Sequence, residues 1–455
     1  MRLLLSVLLS ASLSLTAADI SVNVLLVNRV DEARKAVGIV VGTLGPGGRV
    51  ITAHGGLAKD RPQPPDANTV FEIGSITKVF TSLILADMVE RGEVTLDTPV
   101  QKLLPDSVKI PSRNGKQITL LDLSMQVSGL PRMPDNFHPA DPGNPYADYG
   151  AAKLYEFLST YTLSRDIGEK YEYSNLGVGL LGHALARKAG MTYEALLRAR
   201  VLGPLGMKDT TITLSEDQKK RLATGHNAAL APVKNWDLDS LAGAGAIRST
   251  ANDMLTFLAA NLEPTDTPLK AAVRRMRAER RPTGMPGIDI LMAWHTFTRD
   301  GSEIVWHNGG TGGYHSFAGF DPVKKTAVVV LTNTSFDIDD IGRHILDPES
   351  PVALLTPPKK RAEMALDAKD LPAYTGEYVF GPTFSIRVTA EGPHLYAQAT
   401  AQPRFEIFPE KQDEFFLKVV DAQISFIRDA TGQVTHLVLQ QNGRDQKAPK
   451  KSPQP

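Results

Sequence analysis

The sequence predicts an α+β domain followed by a small all-β domain, and three observations carry that prediction. Two strand-like runs near the N-terminus, GIVVGTL and RVITAHGG, precede a largely helical middle. Strand-like runs then return at DILMAWHTF, EIVWHNGG, YHSFAGFD and KTAVVVLTN, which implies one antiparallel sheet whose parts are far apart in sequence. From Thr375 the helical patterns stop, and short strands follow at close, even spacing, as in a small antiparallel sheet or barrel with no helix.

The elements follow in order. MRLLLSVLLSASLSLTAADI has an early arginine, a short apolar stretch and small residues near Ala17 and Ala18, the layout of a secretory signal over residues 1–18. The apolar stretch is short for a span of ~20 residues, and no second span follows it, so no stable membrane span is expected after cleavage. Residues 19–355 form the first domain. A short helix precedes the two strands, which turn at Pro46–Gly48. KVFTSLILADMVERG is a long apolar-rich helix ending at Gly92. Loops rich in proline and glycine follow, then helices in AAKLYEFLSTY and NLGVGLLGHALARKAG, and IDDIGRHIL closes the domain. Residues 356–374 read as a linker, 375–443 as the β domain, and the polar, basic tail 444–455 as disordered.

Composition narrows the function. Lys+Arg and Asp+Glu number 50 each, so neither net charge nor a basic run favours a nucleic-acid partner. Cysteine is absent, which excludes disulfides, thiolate nucleophiles and cysteine metal sites. With the N-terminal segment, this fits a periplasmic or secreted protein.

Three short constellations carry chemistry. In FEIGSITKVF, Ser75 lies three residues before Lys78 at a helix start, so both share a face. Free N–H groups of a first helical turn can stabilise an oxyanion. A lysine acts as a base only where burial or nearby charge keeps it neutral. Alone, the pair is equally well explained by a capping serine and a solvated lysine. In YEYSN, Tyr173 and Asn175 can face one side of an extended turn: a tyrosinate carries protons, and an amide binds substrate and a lysine. Packing of Tyr173 and capping by Asn175 explain them as simply. In WHNGGTGG, glycines let a substrate lie along an edge strand, and His307 can supply a donor or positive charge. A hairpin turn with a surface histidine is the alternative.

Together the three constellations, in this order, resemble the serine beta-lactamase and penicillin-binding-protein superfamily, in the branch of class C beta-lactamases and D-alanyl-D-alanine carboxypeptidases. The motifs are S-I-T-K, Y-S-N, and H-N-G where class C enzymes carry K-T-G. Flanks such as ITLLDLSMQVSGLP and GPLGMKDT extend the likeness over residues 37–333. The resemblance implies a five-stranded antiparallel sheet covered by helices beside an all-helical subdomain. It also implies Ser75 as the acylated nucleophile, Lys78 as its activating partner and Tyr173 as a second general base. Asn175 is expected to contact the substrate amide and the lysine. His307, Asn308 and Gly309 stand for the lysine, threonine and glycine of the third motif, and the backbone N–H groups of Ser75 and Gly310 for the oxyanion hole. No metal and no cofactor is implied.

Two departures stand out. SMQVSGL replaces the usual T-H-T-S-G-L, with Met125 and Gln126 among the changes, and histidine replaces the third-motif lysine with less positive charge at neutral pH. The C-terminal strands resemble the β domain appended to peptidase-like and esterase-like members. Trp294 and Trp306 read as core or cleft wall, Tyr146 and Tyr149 as candidate pocket walls, and Arg248 as structural or carboxylate-binding. His295 and His315 have no metal-ligand spacing. The expected function is a serine hydrolase forming an acyl-enzyme, foremost on beta-lactams. Alternatives are a D-alanyl-D-alanine-type peptidase or a carboxylesterase. A catalytically silent module binding cell-wall peptide is the remaining class. The partner is thus a small-molecule or peptidoglycan-peptide substrate.

Overall fold

The computed structural model describes residues 21–451, apart from 263–266, 300, 353, 358–360, 382–383, 401–403, 420–421 and 442–443. The expected signal segment lies outside the described residues. Two compact units divide between Pro357 and Pro358.

The first unit is organised on one mixed-length antiparallel sheet. Its strands are β1 (Gly38–Gly45), β2 (Gly48–Gly55), β3 (Arg281–Pro282), β4 (Ile288–Ile290), β5 (His295–Arg299), β6 (Ser302–Gly310), β7 (His315–Asp321) and β8 (Thr326–Thr332), in the spatial order β2-β1-β8-β7-β6-β5-β4-β3. Pairing of β1 with β8 brings the two ends of the unit together, Ile39 opposite Thr332. The sheet has eight strands and not the five that the resemblance implies: of the six strand-like runs in the sequence DILMAWHTF divides in two, and the two-residue strand Arg281–Pro282 is added. Ala293 adopts a left-handed φ of 62° and gives its N–H to the Ser124 carbonyl, so the segment breaks into β4 and β5.

Both faces of the central strands are buried, and side-chain alternation assigns their residues to one face or the other. Val40, Val305, Ala318, Phe320 and Val329 pack with the large core around helix α1 (Thr77–Glu90). Ile39, Val41, Ile304, Trp306, Phe317 and Val330 pack on the other side against Leu25, Leu26 and the last helix of the unit, α5 (Asp339–Leu346). Helix α1 is buried all round from Thr77 to Met88, so it is a central element and not a surface helix. Between them lie α2 (Leu120–Ser124), α3 (Asn175–Ala189) and α4 (Ala251–Asn261). Ser174 caps α3 by accepting the Gly177 N–H, and Gly190 ends it at a φ of 64°.

The second unit is a meander of eight strands running in order from β9 (Gly376–Gly381) to β16 (Arg444–Pro449). A bridge between Tyr378 and Lys450 joins the first strand to the end of the last, closing the meander. Two expectations are corrected. The tail from residue 444 is the last strand of this sheet through Pro449, since its alternation puts Ala448 opposite Leu437, and both are fully buried. The segment read as linker ends in a helical turn, Leu371–Tyr374, whose buried Leu371 and Tyr374 belong to this unit's core. Polar neighbours masked both signals.

Candidate active site

Ser75 sits where the chain turns from a two-residue strand into α1. Gly74, at a φ of 49°, makes that turn, and a Cβ there would stand 2.8 Å from the Gly310 nitrogen. At Gly309 a Cβ would reach within 2.0 Å of the Ile73 carbonyl oxygen and 2.9 Å of the Ser75 nitrogen. Ser316 Oγ ties the two segments by donating to the same Ile73 carbonyl. The end of β6 thus runs against the first turn of α1, where a helix has N–H groups that no residue of its own can accept.

Lys78, on the next turn, is 0% exposed. Its Nζ lies 2.8 Å from Ser75 Oγ and donates to the Ala244 carbonyl at 2.7 Å. Burial pushes its pKa well below the ordinary 10.5, and the charge of Arg132 pushes it further the same way. A charged ammonium here would cost several kcal/mol of desolvation, and among the described residues no carboxylate pairs with it to offset that cost. Neutral Lys78 is therefore able to take a proton from Ser75.

Tyr173 completes the group. Lys78 Nζ stands 4.8 Å from its ring centroid, and Ser75 is near enough to favour the ionised form of its phenol. Burial raises the phenol's pKa well above the usual 10, opposed more weakly by Ser75 and by the Arg132 charge. The resting residue is a phenol and not the tyrosinate that the sequence suggests. It can hand over its proton only when it regains one, and Lys78 is the adjacent group able to return it.

A family model described as Beta-lactamase matches residues 26–346, most of the chain. The chain belongs to the beta-lactamase family. Residues 360–450 match a second model, a domain of unknown function (DUF3471). The D-alanyl-D-alanine-carboxypeptidase/endopeptidase AmpH of Escherichia coli K12 is 29% identical over 324 residues, 66% of this chain and 80% of that protein. A beta-lactamase of the same strain is 26% identical over 371 residues, 73% of this chain and 94% of that protein. The solved structure of a beta-lactamase/D-alanine carboxypeptidase from Yersinia pestis, complexed with citrate, superimposes with a TM-score of 0.62 at 26% identity. The match covers 69% of this chain and 92% of that one.

Within this beta-lactamase family chain, the third motif departs most from expectation. His307 is 1% exposed, and burial, with smaller contributions from His295 and Lys78, holds its pKa well below 6.5. Its Nδ1 lies 2.5 Å from the Asn308 carbonyl oxygen, an acceptor, so Nδ1 carries the proton. Nε2 is left bare, buried and unpartnered. His307 therefore brings no positive charge. Asn308 lies on the opposite face of β6, with Trp306, and its amide donates to Asp339 of α5 at 2.6 Å. The substrate contact expected of Asn308 is not available from that face. Asp339 also holds His315 at 2.9 Å, and the exposed Asp337 lies beside them.

Asn175 does not hold Lys78, whose second bond is to Ala244. The Asn175 amide faces Tyr146 Oη at 3.4 Å, and its Oδ1 is buried without a partner. Tyr146 also packs on Trp236 at 5.3 Å between ring centroids, which makes both part of this wall. Tyr149 turns inward and donates to Asn136 Oδ1. Trp294 is core, and Trp306 is core on the far face. Arg248 is buried against Glu72, Asp237 and two carbonyls, a structural role. His295 shares a hydrogen bond with Tyr171, and burial pulls its pKa down to about 4.

Sequence reasoning missed four residues. Ala244 supplies the lysine's acceptor through its backbone, which leaves no trace in residue type. Gln126, noted only as a departure, accepts the Ser174 N–H with Oε1 and the Glu172 N–H with its carbonyl, each at 2.8 Å. It holds both flanks of Tyr173. Trp236 and Arg132 come from loops without a motif.

Proposed function

We propose that this protein is a serine hydrolase that forms an acyl-enzyme at Ser75 with beta-lactams and with the D-alanyl-D-alanine-type peptides they resemble. The observation that carries this reading is a serine hydroxyl 2.8 Å from a fully buried lysine that burial keeps neutral. Ser75 Oγ attacks the carbonyl and its proton passes to Lys78. The N–H groups of Ser75 and Gly310 hold the oxyanion. The bond to the leaving nitrogen breaks as Tyr173 gives that nitrogen its proton and takes one back from Lys78. Water then attacks the ester carbonyl as the Lys78–Tyr173 pair takes its proton, and the pair returns a proton to Ser75 Oγ as the ester bond breaks, releasing the acid. Asn175 Oδ1 is free to accept a substrate amide N–H.

Family membership and the lactamase and carboxypeptidase names of its relatives support this substrate class. The layout of residues 1–18 supports export to a bacterial periplasm, and N-terminal sequencing of the mature protein tests that. Intact mass is measured after mixing with a penicillin, an N-acyl-D-alanyl-D-alanine peptide and a short-chain ester. The expected result is an adduct on Ser75 that Ser75→Ala abolishes. No adduct from any of the three would overturn the reading.

A further inference from the structure

The third motif leaves this site without a cation of its own. His307 offers a bare ring nitrogen and Asn308 faces away. A lone pair repels a carboxylate. Lys78 is neutral for the same reason that it can act as a base. Arg248 is committed to Glu72 and Asp237, and Arg343 stacks on Trp306 behind the sheet.

Arg132 is different in each respect. It is exposed, and among the described residues no carboxylate pairs with it. Its guanidinium carbon stands 5.0 Å from the centroid of the Tyr173 ring. Its charge acts on Lys78, Tyr146, Tyr171 and Tyr173. Its position is fixed through the backbone, because its carbonyl accepts the N–H groups of Asn175 and Leu176. An exposed guanidinium held on an aromatic face keeps its forked donors free for a planar anion.

We propose that Arg132 binds a free carboxylate on the leaving-group side of the scissile bond, making this site selective for substrates that end in one. The inference rests on the acyl-enzyme reading, which puts the leaving nitrogen at Tyr173. In a D-alanyl-D-alanine peptide the terminal carboxylate is one carbon from that nitrogen, as is the ring carboxylate of a penicillin. A group at Tyr173 is then within reach of the guanidinium stacked on it.

The test compares an N-acyl-D-alanyl-D-alanine peptide with its C-terminal amide. The native protein is expected to favour the carboxylate form by on the order of 10–100-fold in kcat/KM, the worth of a charge-assisted contact. Arg132→Ala should bring that ratio near one, chiefly through KM, and Arg132→Lys should restore part of it. Arg132 also bears on Lys78, so the ratio is read on the pH plateau of each variant. If Arg132→Ala slows both forms equally and only moves the acid limb, Arg132 acts through Lys78 and the proposal falls. Binding of the two peptides to Ser75→Ala, by calorimetry, separates the two readings. Preference for the carboxylate form without turnover by the native protein sinks the hydrolase reading and keeps this one. Equal binding with normal turnover does the reverse.

Discussion

The two ends of the cleft each bury a basic side chain, and they solve the problem differently. At the helix end, Lys78 is neutral but fully engaged, with Ser75 and the Ala244 carbonyl as partners. At the sheet end, His307 is neutral and half-engaged, its Nε2 buried without a partner. The first arrangement makes a base that can be used. The second removes a charge from the place where sequence likeness expects one. Burial is the same force in both; the partners decide whether it yields catalysis or a vacancy in the electrostatics that another residue must fill.

The largest effect expected is at Lys78. Lys78→Met should lower the acylation rate by about 10²–10⁴-fold, measured by stopped-flow with a chromogenic beta-lactam, while folding survives because an apolar chain replaces a buried amine. Wild-type acylation should rise with pH through the depressed pKa of Lys78, as the base loses its proton. The stability consequence follows from the same depression. Between its folded pKa and the ordinary 10.5, the unfolded lysine binds more protons than the folded one, so stability rises with pH. The melting-temperature advantage of Lys78→Met over wild type should therefore be greatest at low pH and vanish near 10.5.

Gly309→Ala tests the contact between the two ends. A Cβ 2.0 Å from the Ile73 carbonyl must move β6 away from Ser75, so a drop in melting temperature and at least 100-fold slower acylation, about 3 kcal/mol of barrier, are expected. Gln126→Leu strands the Ser174 N–H and loosens Tyr173. We expect about 1–3 kcal/mol of lost stability in urea and roughly tenfold slower acylation. Asn308→Leu should have the smallest kinetic effect. It breaks the bond to Asp339, again costing about 1–3 kcal/mol, but leaves acylation within about twofold because that side chain is behind the sheet. A large kinetic loss at Asn308 would reverse the face assignment.

Much of this was legible in the sequence. Strands β1, β2, β6, β7 and β8 and helices α1 and α3 follow from motifs and periodicity, and the meeting of Ser75, Lys78 and Tyr173 follows from the family resemblance that the motifs carry together. What was not legible has physical causes. Period two puts neighbouring residues on opposite faces, so aligning H-N-G with K-T-G says nothing about which face Asn308 takes. Ala293 breaks a strand through a positive φ that its residue type does not announce. The Lys78 acceptor is a carbonyl, available from any residue. Arg132 and Trp236 reach the site from loops, where no repeat fixes direction. The buried state of His307 depends on packing against the rings of His295 and, far away in sequence, Tyr173.

The sheets of both units are completed by pairing between distant parts of their chains. β1 meets β8 across nearly 300 residues, Ile39 with Thr332, and Tyr378 waits for Lys450. During synthesis, then, Ser75 and Lys78 emerge long before the strand that will seat them, and the β unit cannot close until residue 451 is made. Until those late strands emerge, the nascent protein carries open strand edges, the state in which a chain pairs with its neighbours.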